Sequence, residues 1–228
     1  MTAIPADVRE WRKSQRAVLI ARRNALPAAQ HHDFDRLITG HLLAGFPLLR
    51  GMTIGFYWPF NSEFDPRFAI RQWRNQGAIA ALPEVVEKAS PLRFRTWWPA
   101  APMTKGVYDL PVPDGTSIVV PQALLIPPVG FDESGYRLGY GGGYFDRTLA
   151  AMQPQPLKLG VAYECSRMPT IRPQPFDVPM DFIVTEAGIH VVATNGLERI
   201  DDPARAAERA GDLVSLRAIE CAARTESG

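Results

Sequence analysis

Between Ala123 and Ala150 an unbroken apolar run gives way to a proline pair, a short polar excursion and a glycine-dense loop. This order constrains the fold more than any other feature of the chain. Ala123-Leu124-Leu125-Ile126 reads as a buried strand that Pro127-Pro128 ends, because proline has no N–H to give to a sheet. Val129 to Tyr136 reads as a turn or short hairpin, with Gly135 at a left-handed position. Arg137-Leu138-Gly139-Tyr140-Gly141-Gly142-Gly143-Tyr144-Phe145-Asp146-Arg147 follows, with four glycines in five positions. Without Cβ the backbone can approach a ligand closely, and successive free N–H groups form a nest for anions. Thr148-Leu149-Ala150 continues without a breaker and predicts a helix whose N-terminus adds its dipole at the same place. The string is neither a Walker loop nor a dinucleotide fingerprint. A surface loop with no ligand is the plain alternative. Against it stands the crowding of Arg137, Tyr140, Tyr144 and Asp146 into the same dozen residues.

The rest of the chain supplies the scaffold such a loop needs. Short apolar strands recur at Thr53–Trp58, Ala78–Leu82, Pro91–Trp98, Leu157–Tyr163 and Phe182–Glu186, the last of these expected to be the final core strand. Helices are predicted at Ala6–Asn24, Pro27–Leu43, Pro66–Asn75 and Tyr144–Met152, with Asp65 as N-cap before Pro66. Strand, helix, strand in repetition predicts a parallel sheet covered on both faces. Pro121 breaks Ser117–Val120 from Ala123–Ile126 and makes one of them an edge or a bend, while Pro99–Gly115 reads as irregular. Residues 1–195 are expected to form one α/β domain. Residues 196–228 are expected to be a C-terminal extension, with Pro203–Arg224 either a marginal helix or disordered.

Composition excludes several partners. Twenty-five basic residues against 24 acidic ones leave a net charge of +1, so no global field favours nucleic acid or an anionic membrane. No apolar run reaches the ~20 residues that span a bilayer, and no signal-peptide core is evident. Cys165 and Cys221 make neither a disulfide framework nor a metal motif, and a cytoplasmic location is expected. His31, His32 and His41 show no metal-ligand spacing. Positive charge is concentrated in the first helix, at Arg9, Arg12, Lys13, Arg16, Arg22 and Arg23. Taken alone, these residues are open to two readings, a solvated charged face or a phosphate-binding one.

Leu125 to Arg147 resembles the signature of the 5-formyltetrahydrofolate cyclo-ligases, also called methenyltetrahydrofolate synthetases. Phe131-Asp132, Gly135-Tyr136-Arg137-Leu138-Gly139 and Gly141-Gly142-Gly143-Tyr144-Phe145-Asp146 carry the match, and flanking pieces agree from about Arg12 to Glu186. The resemblance implies a three-layer α/β fold, Rossmann-like and similar to the sugar-phosphate isomerase and CoA-transferase superfamily. It implies conversion of 5-formyltetrahydrofolate and ATP to 5,10-methenyltetrahydrofolate, ADP and phosphate by a monomer that uses Mg²⁺. Two alternatives keep the same scaffold: a non-catalytic reduced-folate or nucleotide-binding paralogue, and an enzyme like the isomerases or transferases.

Residue by residue, the resemblance implies ATP contacts from Arg16 and from Arg12 or Lys13, since Arg12 stands where the family has Lys. It extends these contacts along Arg137, Leu138, Gly139, Tyr140, Gly141, Gly142, Gly143 and Tyr144, with Arg137 and Tyr144 as catalytic candidates. Tyr140 to Tyr144 also face the folate, together with Trp58 as an apolar wall and Glu63 as an acceptor for pterin N–H groups. Asp146 and Asp177 are the implied Mg²⁺ ligands. Tyr140 and Gly142 fill loop positions that are basic in some members, and Phe145 replaces the commoner Tyr.

Overall fold

A computed structural model describes residues 4–226. The chain opens with two helices, α1 (Ala6–Asn24) and α2 (Ala28–Gly45), followed by strand β1 (Thr53–Gly55), helix α3 (Arg67–Asn75) and strand β2 (Ile79–Glu84). Next come β3 (Arg93–Trp97), a hairpin of β4 (Met103–Lys105) and β5 (Pro111–Pro113), then β6 (Ile118–Val119) and β7 (Ala123–Ile126). Strands β8 (Gly130–Asp132) and β9 (Arg137–Leu138) lead into helix α4 (Tyr144–Ala151). Strands β10 (Leu157–Val161), β11 (Arg167–Met168), β12 (Phe182–Thr185), β13 (Gly188–Ala193) and β14 (Gly196–Ile200) precede helix α5 (Pro203–Glu226).

Nine strands make the main sheet, in the order β14-β13-β12-β10-β7-β1-β2-β3-β6. The five central strands, β12 to β2, are parallel, and each flank adds two strands through antiparallel pairing. Strand β7 shows why the centre is apolar without alternation. Ala123 and Leu125 enter the core beneath α2, α3 and α5, while Leu124 and Ile126 enter a second core with Leu149 of α4. Both faces of the strand are therefore covered, as a parallel sheet requires. A third, smaller cluster joins Leu19 of α1 to Val129, Leu138, Met168 and Ile171 around the small sheet β11-β8-β9. Gly130 allows that approach, because a Cβ there would stand 2.6 Å from the Leu19 side chain.

Three expectations are corrected. The first strand ends at Gly55 rather than Trp58; Phe56 still donates to the Ala81 carbonyl at 2.9 Å, and the chain leaves the sheet after it. Phe182–Thr185 is not the final strand, since β13 and β14 follow as an antiparallel meander. In the segment Pro99–Gly115, expected to be irregular, β4 and β5 pair. Pro121 does separate an edge strand, β6, from the central β7.

The order fixes where a ligand belongs. From β1 the chain moves to β2 on one side, whereas from β7 it moves to β10 on the other. Loops leaving the carboxyl ends of β1 and β7 therefore diverge and open a crevice between them, the usual ligand position in open α/β sheets.

Candidate active site

That crevice is a cavity of about 420 Å³. Tyr57 and Trp58 line it after β1, Leu82 and Pro83 from the end of β2, and Pro127 after β7. Arg137, Gly139, Tyr140 and Gly142 to Asp146 form the side made by the glycine loop and α4. Val107, Tyr108, Leu110, Pro111 and Val112 close it from the β4–β5 hairpin.

The glycine loop takes conformations that side chains resist. Gly141 has φ +99° and Gly143 has φ +63°, and Gly143 is the N-cap of α4. A left-handed residue at the N-cap turns the chain sharply into α4, a conformation that glycine takes without strain. Arg16 props the loop from below, donating from Nε to the Gly139 carbonyl at 2.7 Å. Its terminal nitrogens lie under Gly141 and bond no protein acceptor among the described residues. Arg147 binds the Gly142 carbonyl and stacks 5.3 Å from the Tyr144 ring.

Arg137 is buried and fixed by two bonds, to the Val178 carbonyl at 2.7 Å and to Asp146 Oδ1 at 2.8 Å. Asp146 Oδ1 also accepts from the Val178 N–H at 3.1 Å, whereas its Oδ2 bonds no other group among the described residues. Asp177, one residue before Val178, lies within the field of Arg137. Its own oxygens accept from Arg12 and from the Gln174 N–H at 2.7 Å. Among the described residues there is no cluster of three His, Cys, Asp or Glu side chains suited to a metal. Magnesium needs only one or two carboxylates beside nucleotide phosphates. Asp146, lining the cavity with a free oxygen, fits that part, while Asp177 is committed to Arg12.

At the other end Glu63 is almost fully buried, and its two oxygens have separate donors. Oε2 accepts from the Phe60 N–H at 2.9 Å, and Oε1 accepts from the Tyr140 hydroxyl at 2.8 Å. Arg23 stands behind both, 3.0 Å from the Tyr140 oxygen and 3.9 Å from Glu63 Oε1, with Nε on the Asn61 carbonyl. Burial raises the Glu63 pKa to about 7, against the opposing pull of Arg23, Tyr140 and the Phe60 N–H. Trp58 meets Trp97 edge-on and carries the Arg67 guanidinium 4.7 Å above its ring. The glycine loop and a buried acceptor beside an aromatic wall thus share one cavity.

A family model for 5-formyltetrahydrofolate cyclo-ligases matches residues 8–186. The chain belongs to the 5-formyltetrahydrofolate cyclo-ligase family. It is accordingly an enzyme of that class, a ligase of folate one-carbon chemistry. The cyclo-ligase of Haemophilus influenzae is 29% identical over 69% of this chain and 88% of its own length. That of Escherichia coli is 28% identical over 74% of this chain and 96% of its own length. A solved 5,10-methenyltetrahydrofolate synthetase from Mycoplasma pneumoniae superposes with a TM-score of 0.64 at 25% identity, covering 77% of this chain and 98% of that one. The Aquifex aeolicus structure, with a TM-score of 0.70 at 23% identity over 83% of this chain and 97% of that one, shares the fold.

The structure brings most of the expected residues together. Trp58, Glu63, Arg137, Gly139, Tyr140, Gly142, Gly143, Tyr144 and Asp146 line the cavity, and Arg16 and Gly141 lie at its loop. Arg12 and Lys13 lie elsewhere. Arg12 is buried, holding the Ile171 and Arg172 carbonyls and Asp177, and Lys13 is exposed beside Glu10. The basic face of α1 is thus turned inward: Arg12, Arg16 and Arg23 each donate to backbone carbonyls of loops. Arg23 is the site residue that the sequence reading did not single out. Its spacing was legible, since it lies seven residues after Arg16 on the same helical face.

Proposed function

We propose that this chain catalyses ATP-dependent cyclisation of 5-formyltetrahydrofolate to 5,10-methenyltetrahydrofolate. The observation that carries this reading is one cavity with the glycine loop, Arg137 and Asp146 at one end and Glu63 with Trp58 at the other. The loop accepts phosphate oxygens, and Arg16 and Arg137 neutralise them. Glu63 accepts N–H bonds from the pterin, and Trp58 covers its apolar face. The γ-phosphoryl group then sits in reach of the formyl oxygen, and such transfers depend chiefly on positioning and charge.

The formyl oxygen attacks the γ-phosphorus and ADP departs, leaving an iminium phosphate. N10 attacks the formyl carbon, the C–O bond breaks with loss of phosphate, and N10 sheds its proton as the ring closes. Magnesium brought with the nucleotide would be held by Asp146 and the phosphates, and its charge would offset theirs.

The decisive measurement is the absorbance of methenyltetrahydrofolate formed from 5-formyltetrahydrofolate with and without ATP. Formation only with ATP, and its loss in Asp146→Ala with folding retained, is expected. Folate binding with no turnover would leave the non-catalytic paralogue as the better reading.

A further inference from the structure

Tyr140 belongs to the glycine loop, yet its hydroxyl is spent on the opposite end of the cavity. The ring is half exposed while the hydroxyl is held between Glu63 and Arg23. A phenol has one proton. Arg23 can only donate, so its bond to the Tyr140 oxygen commits that proton to Glu63. The Phe60 N–H fixes the other carboxylate oxygen in the same sense. Every protein group bonded to Glu63 therefore donates, and a protonated carboxyl would meet donors where it needs an acceptor.

We propose that Tyr140 and Arg23 are positioning residues that hold the Glu63 carboxylate ionised and aimed into the cavity, ready to accept N–H bonds from the folate ring. The proposal rests on the folate reading above for the identity of the ligand. It adds that the glycine loop, through one hydroxyl, sets the charge of the folate site.

The groups facing Glu63 from each packed element are few. They are Arg23 from α1, Tyr140 from the loop, and Tyr57 beyond β1, whose own hydroxyl donates to the Phe64 carbonyl at 2.9 Å. Asp35 of α2 and Tyr163 beyond β10 lie behind Tyr57 and bond each other at 2.5 Å. Burial works against the carboxylate, and these donors offset it, which leaves Glu63 balanced near neutrality.

Tyr140→Phe deletes the hydroxyl and keeps the ring. The Glu63 side-chain carboxyl is followed by isotope-edited NMR, its signal assigned by loss in Glu63→Gln. In Tyr140→Phe its titration is expected to move up by about one pH unit or more, the worth of one bond to a charged group. The pH midpoint for 5-formyltetrahydrofolate binding should move by the same amount. An unmoved Glu63 titration overturns the proposal. So does a moved titration with an unmoved folate midpoint. A wild-type chain that never makes methenyltetrahydrofolate would sink the folate reading instead, while the carboxyl titration still decides what Tyr140 and Arg23 do to Glu63.

Discussion

Glu63 shows how one side chain becomes selective by being buried. In water a carboxylate accepts from anything; here its oxygens already accept from Phe60 and Tyr140, and the proposed folate reading leaves the cavity side for one flat donor edge. Glu63→Gln should therefore weaken 5-formyltetrahydrofolate binding about 10-fold or more, the worth of a bond to a charged group, with ATP affinity unchanged by calorimetry. An equal loss for both ligands would remove Glu63 from the folate end. The sign of the pH dependence follows from its raised pKa. Glu63 takes up a proton as pH falls through about 7, so wild-type folate affinity should decline over that window. Trp58→Ala should cost folate binding roughly 1–3 kcal/mol through lost apolar contact, and the Arg67 guanidinium above it would lose its stacking surface too.

At the scale of elements, the loop before α4 and the helix α1 depend on each other. Gly141 and Gly143 carry positive φ, and a Cβ on Gly141 would stand 3.4 Å from the Arg16 guanidinium. Valine at either position strains the loop by about 1–3 kcal/mol and crowds the phosphate side. Gly141→Val and Gly143→Val should lose ATP affinity in a titration while keeping cooperative unfolding. Undiminished affinity in both would mean that the nest does not hold phosphate. Arg12 and Asp177 tie α1 to the segment after β11, with both side chains nearly enclosed. Removing one member leaves the other charged and buried. Asp177→Ala should cost stability by about 3–5 kcal/mol in a denaturant titration. If it instead leaves stability unchanged and abolishes magnesium-dependent ATP binding, a metal role for Asp177 gains the argument.

Over the whole molecule, α5 is part of how the sheet is covered. Ala206 and Ala210 are fully buried, Leu213 and Val214 pack on the same core, and α5 lies against α2. Gly45 at the end of α2 makes room, since a Cβ there would meet Ile189 at 2.4 Å and Ala206 at 3.5 Å. Arg217 completes the stripe with a two-pronged bond to Asp181, which also holds Lys158. This cluster lies at the amino ends of β10 and β12, away from the cavity. Arg217→Ala should lower the unfolding midpoint by about 1–3 kcal/mol equivalent with folate and ATP affinities unchanged. A loss of ligand affinity would show that α5 is coupled to the site.

The sequence by itself determined the parallel centre of the sheet and the glycine loop. Both are local: β7 is apolar on every residue and stopped by prolines, and the loop's glycines need no partner to take positive φ. Glu63 and Trp58 became candidates through the family resemblance of the segment that holds them, outside the Leu125–Arg147 signature. Tertiary structure alone decided which arginines of α1 serve the site. Helical periodicity places Arg12, Arg16 and Arg23 on related faces, but the loops they meet lie about 40 to 160 residues along the chain. Whether a guanidinium faces a phosphate, a carbonyl or an aspartate depends on that packing, because each satisfies the same donors. The β13–β14 meander and the docking of α5 were hidden for the same reason. Their buried faces are completed by Phe182, Gly45 and Asp181, contacts of the folded chain that no local pattern encodes.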